Sequence, residues 1–326
     1  MLRITECGPL NTIQDAGRFG VRHLGIGVTG PMDPVSFRIG NRLVGNDESV
    51  AAIEIQTYPF AVEISETCRI SVTGAGRACL NDVLLPPFWS GCVGRGQTLQ
   101  VVFGGGGARG YLCVSGGISV PPVLGSTSTH LRSSFGGFKG RDLQIGDDLI
   151  VETRKTDFSC DLPDFGILFP EVGFFRDPQQ DAKTLVIRAL RGMEYDLFTA
   201  EAHALFWSES WKITQLSNRT GYRFSGPTLS MKHAVEMRSH GVLPGVVQVP
   251  PAGQPIVQMV DGNTVGGYPK LAHVIDADMY RLGQASSGQK IIFKEVSYKE
   301  AVLAHQEVER NIQNIRDHIG KTVSSY

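Results

Sequence analysis

Residues 98–115 read TLQVVFGGGGARGYLCVS. Two short apolar, β-branched runs, 98–103 and 111–115, flank a glycine cluster, and each run is too short for a packed helix. The pattern predicts two strands; Gly104 to Gly107 resembles a phosphate cradle, but no GKS or GKT follows, so a hairpin loop is the better reading. Outward from this stretch the same punctuation repeats. Glycine supplies 39 of 326 residues, well above its usual share of about 7%. Further strands are expected over 52–56, 60–64, 69–73 and 148–152, and in the second half over 185–190, 246–249, 256–260 and 290–294. Spacing this close, with Gly or Pro between, predicts an all-β chain of barrels or sandwiches.

A length of 326 residues exceeds the range over which one core keeps growing, so two domains are expected. The non-periodic segment with Pro163, Pro170 and Pro178 marks the junction. The boundaries read as a β domain over 1–160, a Pro-rich junction over 161–184, a β-barrel over 185–295 and an amphipathic helix over 296–326. Helices are few. Asp33 is an N-cap with Pro34 at the first helical position, Val35, Ile39 and Leu43 on one face, and Gly45 past the end. A second helix is expected over 194–206 and a short third from Asp276. The C-terminal helix opens with Ser297 and Glu300 in capping-box spacing and aligns Ala301, Ala304, Val308, Ile312, Ile315 and Ile319.

Composition excludes several classes of function. A formal net charge of -1, without a Lys/Arg cluster, gives no electrostatic footprint for nucleic acid. No apolar run reaches the roughly 20 residues of a membrane span, and the N-terminal residues turn polar within a few positions, so a cytoplasmic location is expected. The six cysteines are scattered without a CxxC pair and are expected as reduced thiols. No HxxxH or HExxH spacing marks a metal site. Gly25, Gly27 and Gly30 spell GxGxxG, but Pro31 follows and no strand precedes, so a turn is the better reading. Lys232 follows Met231 but lacks a second Met beyond it, which argues against covalent biotin.

Two regions are too polar for core. TIQDAGRFG, residues 12–20, sets Gln14, Asp15 and Arg18 among small residues that let a ligand approach; a β-turn stapled by an Asp15 and Arg18 ion pair explains it equally. The second region is three loops. SNRTGYRFSGP (217–227) offers Asn218, Arg219, Tyr222 and Arg223, and SHGVLPGVVQVPPAGQPI (239–256) offers Gln248. DGNTVGGYPK (261–270) offers Asp261, Asn263, Thr264, Tyr268 and Lys270. If the strands between them form one barrel, these loops gather at one mouth. Guanidinium forks and amides pair donors with the paired oxygens of carboxylate, carbamate or phosphate. The alternative is that glycine and proline here only shape turns.

Together with GPMDPVSFRIGNRLVGN, GYLCVSGGISVPPVLGSTST, GGFKGRDLQIGD and GGYPKLAHV, these segments resemble the 5-oxoprolinase C-subunit family, also labelled biotin-dependent carboxyltransferase or allophanate hydrolase subunit 2. The resemblance runs in order from the N-terminus to about Val296, with one departure: Asn263 stands where the family usually carries Gln. It implies an all-β chain of two β-barrel-like domains with cyclophilin-like architecture, working beside subunits A and B of one complex. The implied reaction opens 5-oxo-L-proline to L-glutamate with ATP hydrolysis, with ATP and Mg bound at the level of the complex. A lactam is a poor electrophile, and phosphorylating its oxygen opens the ring carbon to water if cationic donors meet the developing charge. On that reading Arg219, Arg223 and Lys270 stabilise the anion, and Asp15 or Asp261 serves as general base or metal-facing carboxylate. Gln14, Arg18, Asn218, Tyr222, Gln248, Asn263, Thr264 and Tyr268 then contact the substrate. The same family also holds the carboxyltransferase half of urea carboxylase, and a regulatory protein that opposes an inhibitor of a sporulation kinase.

Overall fold

A computed structural model of the chain describes residues 1–152, 158–167 and 184–325. The junction expected over 161–184 therefore lies largely outside the described residues. The strands form where the β-branched runs predict them, and 60–64 and 98–103 keep the expected bounds. Contacts divide the described residues into two units. One takes residues 1–19, 29–152, 158–167 and 310–325, and the other takes 20–28 and 184–309.

The first unit holds two sheets around one core. The seven-stranded sheet runs, in spatial order, Ile118–Ser119, Asp148–Val151, Leu2–Glu6, Phe60–Ile64, Thr98–Phe103, Gly76–Leu80 and Val83–Leu84. The six-stranded sheet runs Phe165–Gly166, Trp89–Val93, Cys68–Gly74, Gly110–Val114, Ala52–Ile55 and Thr12–Gln14. Leu2, Phe60, Val62 and Val101 of the first meet Ile53, Val72, Leu112 and Val114 of the second in one buried cluster.

The glycine run after Phe103 does not close a hairpin, contrary to the sequence expectation. Thr98–Phe103 pairs with Phe60–Ile64 and Gly76–Leu80, whereas Gly110–Val114 pairs with Ala52–Ile55 and Cys68–Gly74. The run instead carries the chain from one sheet to the other. A second crossing at Ala75 lies against it, donating its N–H to the Arg109 carbonyl at 2.8 Å and accepting from Gly104 N–H at 2.7 Å. A Cβ on Gly110 would stand 2.9 Å from Gly76 N, so these corners meet only without side chains.

Helix α1, Pro34–Leu43, begins where the sequence predicts it, with the Asp33 carboxylate accepting from the N–H groups of Val35 and Ser36. Its Phe37 packs with Val44, Ala52, Tyr111 and Cys113. The expectation of six reduced cysteines fails for one pair. Cys92 and Cys160 come to a Cα separation of 5.2 Å and form a disulfide, a proximity that a sequence separation of 68 conceals.

The second unit is a closed seven-stranded barrel. Around the ring stand Thr184–Arg191, Lys270–Val274, Val246–Gln248, Ile256–Gln258, Gly221–Ser225, Ser210–Ile213 and Lys290–Glu295, and the last pairs in parallel with the first. The helix expected over 194–206 divides. A short turn, Tyr195–Leu197, precedes α2, Ala200–Ser208, because Thr199 is extended and its side chain caps Ala202 N–H. Phe206 of α2 stacks on Phe293 with ring centroids 4.8 Å apart. Helix α3, Asp276–Gly283, presents the buried Asp278 to Arg188. Helix α4, Tyr298–Ser324, opens with the predicted capping box: Ser297 N–H donates to the Glu300 carboxylate at 2.7 Å, and Glu300 N–H donates to Ser297 Oγ at 3.3 Å. Its Ala304 packs with Ile275 and Ala277. Among the described residues no helix is long and apolar enough to cross a membrane.

Candidate functional site

In the first unit, the TIQDAGRFG motif ties down a loop. Asp15 accepts from Gly17 N–H, the hydroxyls of Ser126, Thr127 and Ser128, and Thr127 N–H, at 2.6 to 3.0 Å. Arg18, fully buried, donates to the carbonyls of Val123 and Ser128 and to Thr29 Oγ1, with its guanidinium 4.8 Å from the Phe135 ring centre. Gln14 donates to Thr12 Oγ1 and to the Thr129 carbonyl. The three side chains thus hold the 123–129 segment by separate bonds rather than through a mutual ion pair.

In the second unit, a polar line runs along the outer face of the barrel. Tyr222, Val257 and Val247 lie in register and are buried on one face, so alternation sends Gln258 and Gln248 to the other. At one end, Arg219 grips Asp261 through Nε at 2.8 Å and Nη2 at 3.0 Å, both residues being buried. Next comes Gln258, whose Nε2 donates to Gln248 Oε1 at 2.9 Å. A Cβ on Gly262 would stand 2.8 Å from the Met259 carbonyl oxygen as well as 2.9 Å from Gln258 Oε1, so the turn backbone itself leaves room for glycine alone beside the amide. Gln248 Nε2 donates to the Tyr268 carbonyl at 3.3 Å, and Gln248 is the strand partner of Lys270.

Lys270 ends the line. It is 4% exposed. Its backbone N–H donates to Glu194 Oε2 at 3.0 Å, its Nζ lies 3.8 Å from the same oxygen, and Nζ contacts His240 Nε2. Burial pushes the Lys270 ammonium below its ordinary pKa, and the Glu194 charge opposes that shift. A small flap covers this region, made of His240–Gly241 paired with Val265–Gly266. A Cβ on Gly266 would meet Gln248 Nε2 at 2.7 Å, so the flap rests directly on that amide. Arg22, from the 20–28 segment, donates to the Val242 carbonyl next to the flap.

Of the sequence-derived candidates, Arg219, Asp261, Gln248 and Lys270 join this line, with Tyr268 contributing its carbonyl. Arg223 is exposed on its strand, and Asn218 spends its side-chain oxygen on the N–H of Thr220. Tyr222 is buried with the inward-facing valines and donates to the Ala285 carbonyl. Asn263 is exposed, and Thr264 offers its carbonyl to Val242 N–H. Gln258, Glu194 and His240 escaped the sequence reading as site residues. VVQ at 246–248 and IVQ at 256–258 place a glutamine at the same position of two apolar runs, a signal that could have found Gln258. Among the described residues no group of three His, Cys, Asp or Glu side chains is placed to hold a metal ion.

The closed barrel thus carries buried charge and paired amides on its outer face, beside a two-stranded flap. The chain belongs to the family of the carboxyltransferase domain, subdomain A and B, whose model matches residues 24–295. It is 40% identical over 317 residues to a Haemophilus influenzae protein named as the C subunit of 5-oxoprolinase, covering 97% of this chain and 98% of that protein. It is 41% identical over 320 residues to the Escherichia coli protein of the same name, covering 97% of each. The solved structure of Kluyveromyces lactis urea carboxylase matches 96% of this chain with a TM-score of 0.87 at 28% identity, and the chain spans 29% of that protein's length.

Proposed function

We propose that this chain works as the C subunit of an ATP-dependent 5-oxoprolinase complex, beside subunits A and B, and that its barrel face helps to open 5-oxo-L-proline to L-glutamate. The observation that carries this reading is a buried Lys270 ammonium set next to the Gln248 and Gln258 amides under one flap. A lactam offers one N–H donor, one carbonyl acceptor and, in 5-oxoproline, one carboxylate. Paired primary amides complement the first two, and a buried cation complements a carboxylate or the oxyanion formed at the ring carbonyl. Gln258 Oε1 is buried without a hydrogen-bond partner among the described residues, and a ligand N–H at that position would satisfy it. Asp261 is not given the role of general base, because both its oxygens accept from Arg219; the pair instead braces the turn beside Gln258.

The glycine run 104–107 does not build a phosphate cradle. Gly104 spends its N–H on Ala75 at a sheet corner, and no helix N-terminus follows the glycine run. A second reading, carboxyl transfer from biotin to an amide nitrogen, is favoured by the match to urea carboxylase and requires biotin on a partner chain.

The test is glutamate release from 5-oxoproline by the three co-expressed subunits, with and without ATP, omitting each chain in turn. Lys270→Met in the intact complex is expected to lower turnover by about 100-fold, the scale of one lost charge-stabilising group. It is also expected to lower the melting temperature, because Glu194 loses its counter-charge, so turnover is measured well below the transition. Normal turnover in that variant would overturn the assignment. Inactivity of the whole set on 5-oxoproline, together with a biotinylated protein captured on this chain, would favour carboxyl transfer.

A further inference from the structure

Lys270 has little access to water of its own, its side chain being 6% exposed, whereas the His240 ring that touches it is 38% exposed. The contact between them has a fixed polarity. An ammonium has only donors, so the imidazole Nε2 must accept. The other ring nitrogen, Nδ1, lies 3.0 Å from the Arg238 carbonyl oxygen, which only accepts, so Nδ1 must carry the hydrogen. Both contacts therefore require one form of the ring: neutral, protonated on Nδ1, with the Nε2 lone pair aimed at Lys270. Glu194 faces both nitrogens, with Oε2 3.8 Å from Nζ and Oε1 3.4 Å from Nε2. Whichever nitrogen holds the extra proton, the same carboxylate neutralises it.

We infer that His240 is the proton relay of Lys270, acting through that lysine and connecting it to solvent. The inference rests on the reading of Lys270 as the group that meets the substrate. When Lys270 gives a proton to the nitrogen released by ring opening it is left as the neutral amine; His240, protonated from water and held as imidazolium by Glu194, then passes that proton from Nε2 to Nζ and restores the ammonium. The net charge of the Lys270, His240 and Glu194 group is unchanged by the internal step, and water supplies and receives the exchanged proton. Burial of Lys270 favours the first of these transfers, since it disfavours the ammonium.

Exchange of the Lys270 Nζ hydrogens with water, read by NMR on the full chain labelled with 15N-lysine near neutral pH, reports the relay without any turnover. His240→Gln keeps a polar side chain but removes the base. It is expected to slow that exchange by about 100-fold, the low end of what a positioned base contributes, with partial recovery on adding imidazole. Loosening of the fold would speed exchange instead, so the sign of the change separates a relay from a structural role. An equal or faster rate in His240→Gln would overturn the proposal. Glutamate release by the complex is measured separately: slowed exchange in a complex inert on 5-oxoproline would leave the relay standing and the substrate reading refuted.

Discussion

Asp261 takes two hydrogen bonds from one guanidinium in a place where both partners have lost water. The pair's energetics are lopsided. Two buried charges roughly cancel their joint desolvation, but removing one strands the other. Arg219→Ala or Asp261→Ala alone is therefore expected to cost about 3–5 kcal/mol in urea unfolding. Arg219→Met combined with Asp261→Leu should recover most of that loss. Additive losses in the double variant would show that the pair is not a closed unit. The same lopsidedness explains why the site was only partly legible. Arg219, Asp261 and Lys270 stand out in polar loops, but nothing in their spacing tells that Arg219 and Asp261 satisfy each other while Lys270 turns to Glu194. Glu194 sits 76 positions from Lys270 at the mouth of an expected helix, so its role depends on strand register alone.

Helix α1 shows how far local chemistry reaches. Its start was legible because an N-cap acts within four residues: Asp33 accepts from Val35 and Ser36, Pro34 occupies the position where a missing N–H costs nothing, and Ser36 Oγ adds a bond to the same carboxylate. Asp33→Ala is expected to destabilise the chain by about 1–2 kcal/mol in chemical unfolding, while Asp33→Asn, which also caps well, should lose much less. Equal losses in the two variants would assign the effect to the carboxylate's charge instead of the cap. The strands were legible for a comparable reason, since β-branched runs and glycine punctuation are local. Their pairing was not. Residues 98–103 and 110–114 are near neighbours in sequence yet belong to different sheets, because each finds its partners among strands at 52–80 rather than in the other. A glycine run is compatible with a hairpin and with a corner alike; only the close approach of Gly110 to Gly76 selects the corner.

Each unit joins distant parts of its own chain, by a different device. In the second unit the joint is a row of parallel backbone bonds between Thr184–Arg191 and Lys290–Glu295, which completes the barrel. In the first unit it includes the Cys92–Cys160 disulfide, across a separation of 68 residues. The segment it tethers is also held in the folded state by Arg69, which donates to the carbonyls of Ser159, Leu162 and Pro163, and by Trp89, which donates to Asp164. Those bonds survive reduction, so the disulfide acts mainly by restricting the unfolded chain, and a loop of this length corresponds to about 4 kcal/mol of closure entropy. Reductant is therefore expected to lower the unfolding midpoint without changing the fold seen by circular dichroism. Cys160→Ser should match the reduced protein and lose its response to reductant. Coincident midpoints for the oxidised and reduced wild-type chain would show that the native hydrogen bonds, rather than the cross-link, carry the stability of this segment.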